Sequence, residues 1–133
     1  MVYDDYGHKI ASFELIYLSG KMMRQSQAIY NDIGSVLIAA APDSAAKIIA
    51  RAELSPEGDH CKCEFDYVDI TSGETNWFTA GAHANAELLD LLVELRTFIV
   101  ENVSSQRPSY WHACEITVDV EKLKITIDFK YGD

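Results

Sequence analysis

Two short clusters carry the residue types that could bind a metal ion. His60, Cys61 and Cys63 lie within four residues of one another, and His112 and Cys114 form a second group. Zinc in proteins is usually held by four Cys or His ligands. However, Cys-x-Cys is not the Cys-x₂-Cys knuckle that is typical of zinc sites, and the chain has no second knuckle. We therefore expect the three cysteines to be reduced, metal-free and packed as small apolar side chains.

The sequence contains no recognisable arrangement for covalent or cofactor chemistry. It has no Gly-x-Ser-x-Gly turn, and no local signature flanks a cysteine. The seven glycines are scattered through turns, so no phosphate-binding loop is indicated. Carboxylates are abundant, but they alternate along strands, whereas a glycosidase needs two of them in a deep pocket. The sequence thus favours a non-enzymatic protein without catalytic residues, a cofactor or a metal.

Charge is the most unusual feature of the composition. The chain has 11 Lys and Arg against 21 Asp and Glu, which gives a formal net charge of −10. Such a charge repels phosphate backbones and anionic lipid headgroups, so we do not expect direct binding of nucleic acid or of a membrane. A basic protein partner is favoured, because opposite charges steer association. The alternative is that the acidic residues only keep the protein soluble.

Acidic residues are densest between positions 53 and 74, where the only base is Lys62. Like charges that face each other across strands are destabilising, so this density is easier to understand if positive charge on a partner meets it. Aromatic residues in or beside the strands could supply the centre of such an interface; they are Tyr67, Trp77, Phe78, Tyr110 and Trp111. We predict a partner-binding surface formed by Glu57, Asp59, Glu64, Asp66, Asp69, Glu74 and Trp77. The alternative is a polar sheet face with its aromatic residues in the core.

Hydrophobic periodicity predicts the elements that position these residues. Apolar residues at spacings of three and four predict helices over 21–41 and 86–103, the second with Asn85 as its N-cap. Alternation predicts strands at 47–54, 60–70, 75–79, 114–120 and 123–131. Residues 1–20 fit a short helix, which we prefer, but also a strand.

The predicted order is α-α-β-β-β-α-β-β. Strict alternation in the strands indicates an antiparallel sheet of about five strands with helices on one face, an α+β fold. A chain of 133 residues is one domain, with 1–20 as a segment of uncertain structure and 21–133 as the α+β unit. No apolar run approaches the ~18 residues of a membrane span, and residues 1–20 do not resemble a signal peptide. The odd number of cysteines fits a reducing cytosol.

Four stretches of the chain, together with the order of its elements, resemble a known family. They are Ala46–Glu53 after the helix that ends at Pro42, Cys63–Tyr67, Ala86–Phe98, and Trp111 followed by Glu115–Val118 and Ile125–Asp133. This pattern, which covers roughly residues 22–133, resembles the YezG-like antitoxins. These are small immunity proteins of bacterial polymorphic toxin and contact-dependent growth inhibition systems.

The resemblance implies a cytoplasmic, non-enzymatic inhibitor. Such a protein binds its cognate toxin C-terminal domain, often a nuclease, and occludes the active site. A nuclease must be basic to hold phosphate, which agrees with the acidic composition of this chain. Two other classes are compatible with the residues: a small acidic adaptor or chaperone that binds another cellular protein, and a small hydrolase or metal enzyme that uses the His and Cys clusters.

Overall fold

The computed structural model of the chain describes residues 9–10, 20–102 and 111–130. These residues form two helices and a six-stranded sheet. The helices are α1 (Gly20–Ala40) and α2 (Ala82–Asn102). The strands are β1 (Lys9–Ile10), β2 (Ala45–Leu54), β3 (Cys61–Asp69), β4 (Thr75–Phe78), β5 (Ala113–Asp119) and β6 (Lys124–Lys130).

The sheet has the strand order β1-β6-β5-β2-β3-β4, and every neighbouring pair is antiparallel. Two hairpins, β2–β3 and β5–β6, lie side by side, with β2 and β5 in contact at the centre. The short strand β4 forms one edge, and the two-residue strand β1 forms the other. This architecture confirms the predicted α+β class and its antiparallel sheet.

Both helices cover the same face of the sheet. The predicted apolar stripe of α2 is confirmed: Leu88, Leu92, Leu95 and Ile99 are all buried. They share one hydrophobic cluster with Ile33 and Leu37 of α1 and with residues from four strands, namely Ile48, Ala50, Ala52, Leu54, Phe65, Cys114, Ile116, Val118, Ile127 and Phe129. Because these strand residues alternate mainly with polar ones, the opposite face of the sheet is largely polar, and neither of the two described helices covers it.

Helix α2 begins one turn earlier than the sequence predicted. The amide N–H of Asn85 donates to the carbonyl of Gly81 at 3.0 Å, so Asn85 lies inside the first turn and is not the N-cap. Gly81 has a φ of 92°, a left-handed conformation that glycine adopts readily, and this bend starts the helix.

The turn between β5 and β6 corrects the predicted start of the last strand at residue 123. Leu123 is 77% exposed and has a φ of 53°. The carboxylate of Asp119 accepts a hydrogen bond from the amide of Lys122 at 3.1 Å, which closes the turn. The turn therefore extends through Leu123, and β6 starts one residue later at Lys124.

The first predicted helix falls largely outside the described residues. Within 1–20, Lys9 and Ile10 form β1, with Lys9 opposite Phe129 of β6, so a helix at these two positions is wrong. Tyr110 and Tyr131 also lie outside the described residues. No helix in the described part of the chain is long and apolar enough to span a membrane.

Candidate partner-binding surface

The face of the sheet opposite the helices, here called the open face, carries the charged side chains of the strands. Its centre is Arg51 of β2, which lies between Glu64 of β3 and Glu115 of β5 in the register of the sheet. In the same row, Asp128 of β6 lies beyond Glu115. One guanidinium group is thus set among several carboxylates.

The described part of the open face is mixed in charge, not uniformly acidic. The antiparallel register brings basic residues of β2, β3 and β6 among the acids. Its bases are Lys47, Arg51, Lys62, Lys124 and Lys130, and its acids are Glu53, Glu64, Asp66, Glu115, Asp119 and Asp128. The positive charge expected of a partner is therefore supplied in part by the chain itself.

Asp66 is bound within the sheet. The guanidinium of Arg51 donates to it, with 2.7 Å between Nη2 and Oδ2, and this hydrogen bond is the main reason that the pKa of Arg51 is raised. Glu64 is held more loosely, with 3.9 Å between the Arg51 Nε and the Glu64 Oε1. The side chain of Asp66 is 24% exposed and that of Glu64 is 70% exposed. Of the two, Glu64 is the carboxylate that an incoming protein could contact with little rearrangement.

Asp69 organises the turn between β3 and β4. Its Oδ1 accepts hydrogen bonds from the amides of Thr71 at 2.8 Å and Ser72 at 3.0 Å. The amide of Ser72 contributes most, followed by that of Thr71, to a pKa of Asp69 below its usual range. Gly73, with a φ of 72°, completes the turn before Glu74. Asp69 thus has a structural role whether or not a partner binds.

Asp59 has a similar role in the turn between β2 and β3. Its carboxylate accepts a hydrogen bond from the Ser55 hydroxyl at 2.9 Å and lies 3.0 Å from the His60 Nδ1. These contacts, that with Ser55 first, lower the pKa of Asp59. Glu57, in the same turn, is exposed and has no ion pair with any described residue.

The buried Arg96 of α2 fixes this turn to the helix layer. Its guanidinium donates to the carbonyls of Ser55 at 3.0 Å and Pro56 at 3.2 Å. At Gly58 the φ is 74°, and an added Cβ would lie 3.2 Å from Arg96 Nη2. The position of Glu57 and Asp59 therefore depends on Arg96, which lies 39 and 37 positions further along the chain.

The seven residues predicted for the partner-binding surface lie along β3, β4 and their adjoining turns, here called the β3–β4 strip. They do not form one compact cluster. Glu57 and Asp59 stand at the start of β3, Glu64 and Asp66 on its open face, and Asp69 and Glu74 at its end. Nine residues of strand separate the two turns, which is roughly 26 Å at the usual rise per residue. A partner that contacts all seven residues must therefore span the whole length of β3.

Trp77 is the exposed aromatic residue of this strip. It lies on the edge strand β4 opposite Asp66, and it is 76% exposed. Three of the other four candidates pack inward, and Tyr110 lies outside the described residues. Phe78 contacts Phe65 and Tyr67 at centroid distances of 5.5 and 6.0 Å. Trp111 is buried, and its ring centroid lies 5.3 Å from that of Phe129. The core interpretation thus holds for three of the five aromatics, and Trp77 remains available to a partner.

A groove of about 220 Å³ crosses the open face beside Arg51. Its charged lining consists of Arg51, Glu53, Lys62, Glu64, Glu115, Asp128 and Lys130. Pockets for small ligands are usually larger, about 300–1,000 Å³, and mostly apolar. The groove therefore has the character of a charged recess within an interaction surface.

The helix layer carries a second group of acids, outside the surface that the sequence pattern predicted. Asp32 of α1 lines two adjoining recesses of the groove between the helices, and four acids of α2 each line one of them, namely Glu87, Asp90, Glu94 and Glu101. Spacings of three, four and seven along α2 place them on one face, a signal that the sequence already contained. This acidic groove is a rival surface for a basic partner.

The three cysteines are free thiols that face the helix layer. Cys114 is buried, and burial raises the pKa of its thiol. Cys61 and Cys63 are half-buried, with 3.0 Å between their Sγ atoms. Among the described residues, no group of three or more His, Cys, Asp or Glu side chains is placed to hold a metal ion.

No protein-family model matches the chain, and no curated protein matches it.

Proposed function

We propose that this protein is a non-enzymatic immunity protein, an antitoxin that binds a basic toxin domain, most simply a nuclease, and occludes its active site in the cytoplasm. The proposal extends the resemblance to the YezG-like antitoxins. The single observation that carries it is the strip along β3 and β4, where a largely exposed tryptophan stands beside carboxylates.

An exposed tryptophan is a strong candidate for an interface anchor. Trp77 is 76% exposed and lies opposite Asp66, with the exposed Glu64 one row further along β3. Interface hot spots are enriched in tryptophan and are usually ringed by polar residues that exclude water. Trp77 would insert between apolar groups of the toxin while Glu64 and Glu74 meet its lysines and arginines.

The net charge of the chain supports a positively charged partner. A chain with a charge of −10 attracts a basic nuclease over distances of about a Debye length, roughly 8 Å at physiological ionic strength. Exposed carboxylates at the rim would mainly raise the association rate, whereas a charge pair that loses its water in the complex would control dissociation.

Growth protection tests this function. The toxin domain encoded by the adjacent reading frame is expressed from an inducible promoter, with and without this protein. An immunity protein restores growth and co-elutes with the toxin domain on gel filtration. An adaptor or chaperone would bind another cellular protein and leave growth inhibited, and that outcome, or the lack of any toxin gene nearby, would overturn the proposal.

A further inference from the structure

We propose that Cys61 and Cys63 are a reversible oxidation site, at which a peroxide converts the two thiols into an intramolecular disulfide. Their Sγ atoms lie 3.0 Å apart on the same side of β3. This inference is independent of the proposed toxin-binding function, because it depends on the geometry of the helix-facing side of the sheet.

Position in the strand brings the two thiols together. Residues i and i+2 of a strand point to the same side, so Cys61 and Cys63 project next to each other towards the helix layer. Cys114 is nearby, since Ala52 of β2 is the register partner of both Cys63 and Cys114. However, one whole strand separates Cys114 from Cys63, so it is not placed to react with either thiol of the pair.

Access and reactivity also distinguish the pair from the third thiol. Cys61 and Cys63 are half-buried, whereas Cys114 is buried. The hydrogen bond from the Cys63 thiol stabilises a thiolate at Cys61 and lowers the pKa of Cys61. The thiolate is the species that reacts with oxidants.

The oxidation balances with hydrogen peroxide as the only co-reactant. The Cys61 thiolate attacks one oxygen of the peroxide, the O–O bond breaks, and Cys61 sulfenic acid and hydroxide form. The Cys63 sulfur then attacks the Cys61 sulfur, the S–O bond breaks, and the hydroxyl leaves as water with the Cys63 proton. Two thiols and one peroxide thus give one disulfide and two waters.

The bond would be strained and therefore easily reduced. Two residues of extended strand place Cα atoms about 6.6 Å apart, whereas disulfides prefer about 5.5–6 Å. The strand must shorten at Cys61, opposite Leu54, next to the turn that carries Glu57 and Asp59. Strained disulfides are the labile ones that cellular thiols reverse, so the reduced form remains the resting state in a reducing compartment.

Peptide mapping of the intact protein tests the inference directly. The reduced protein is treated with a small molar excess of hydrogen peroxide, its remaining thiols are alkylated under denaturing conditions, and it is digested with trypsin. Cleavage after Lys62 separates the two cysteines, so the disulfide leaves peptide 52–62 joined to peptide 63–96. We expect this cross-linked pair in monomeric protein, its disappearance on treatment with thioredoxin or dithiothreitol, and an alkylated Cys114.

Two variants serve as controls. Cys114→Ala should give the same cross-linked peptides, whereas Cys63→Ser should give none and should leave a sulfenic acid at Cys61 that dimedone traps. Circular dichroism establishes that each variant folds, and the wild-type result stands without them. A cross-link that involves Cys114, cross-links only between two copies of the chain, or oxidation of Cys61 and Cys63 to sulfinic acids without a disulfide would overturn the inference.

Discussion

Arg51 of β2 donates a hydrogen bond to Asp66 of β3, with 2.7 Å between Nη2 and Oδ2, on the face of the sheet that the helices leave uncovered. This contact is one reason that fewer of the predicted carboxylates are free to bind a partner. Asp66 already has a cationic partner, and Asp59 and Asp69 already serve their turns. Of the predicted carboxylates, Glu57, Glu64 and Glu74 remain for a basic protein to bind, and they lie along the same β3–β4 strip as Trp77.

A double-mutant cycle on Arg51 and Asp66 should detect a modest coupling. We expect Arg51→Gln and Asp66→Asn to show an interaction free energy of about 0.2–1 kcal/mol in urea unfolding, because partly exposed ion pairs contribute little in water. The coupling should shrink in high salt. Arg51→Gln paired with Asp119→Asn is the matched control, and an equally large coupling in that cycle would contradict a specific contact.

Removal of the Arg96 guanidinium should loosen the turn between β2 and β3. Arg96→Leu keeps an apolar stem but removes the donors to the carbonyls of Ser55 and Pro56, which should lower the free energy of unfolding by roughly 1–3 kcal/mol. Urea unfolding measures the loss. Glu94→Gln, an exposed position on the same helix, should change stability little, and an equal loss there would show that the helix, not the turn, is sensitive.

Two glycine-to-alanine variants should have opposite effects. At Gly58 the φ of 74° and the nearby Arg96 Nη2 make a Cβ unfavourable, so Gly58→Ala should destabilise the protein. At Gly34 in α1, a Cβ would lie 3.8 Å from the Ile125 Cδ1, an ordinary contact, so Gly34→Ala should stabilise by about 0.5–1 kcal/mol. Thermal unfolding of both variants measures the difference, and melting temperatures that change in the same direction would contradict these local environments.

Stability should depend on the ionisation of Asp69 in acid. Because the amides of Ser72 and Thr71 lower the pKa of Asp69 in the folded protein, the unfolded state binds a proton more readily. The stabilisation is therefore present above the ordinary pKa near 3.8 and is lost as the pH falls through the folded value. Asp69→Asn keeps an acceptor oxygen but does not titrate, so its urea midpoint should fall less steeply than that of the wild type between pH 5 and pH 2. Identical slopes would show that Asp69 does not contribute to the acid sensitivity.

The sequence predicted the fold well because alternation and helical spacing leave few alternatives. In β3, a hydrophobic period of two residues predicts that the Glu64 side chain points to solvent and the Phe65 side chain to the core. In α2, a period of 3.6 residues predicts the buried apolar stripe. Helix and strand ends were less predictable. Gly81 and Leu123 set them through left-handed backbone conformations that hydropathy does not encode.

The charge pattern of the open face was harder to predict because it arises from pairing between strands. The sequence already placed Arg51 on the outward side of β2, and a hairpin closed by Leu54 and Cys61 puts Arg51 opposite Glu64. The number of charges within one stretch of the chain does not reveal this pairing between Arg51 and Glu64. The neighbours Glu115 and Asp128 are more than 60 residues further along, and only the order of the strands brings them beside Arg51.

The acidic groove between α1 and α2 provides a charge-matched comparison for the predicted surface. A Glu64→Ala and Glu74→Ala double variant removes two carboxylates from the strip, and an Asp90→Ala and Glu94→Ala double variant removes two from the helix layer. Both change the net charge equally, so any difference between them in binding reports the position of the interface and not long-range attraction.

The dissociation constant of the complex between this protein and the toxin domain that we propose as its partner is the most direct test. By titration calorimetry in physiological salt, Trp77→Ala should weaken binding about 30-fold or more, as expected for a hot spot of at least 2 kcal/mol. The Glu64 and Glu74 double variant should weaken binding further than the Asp90 and Glu94 variant. Wild-type affinity for Trp77→Ala, together with a large loss for the Asp90 and Glu94 variant, would contradict the β3–β4 surface and place the interface on the helices.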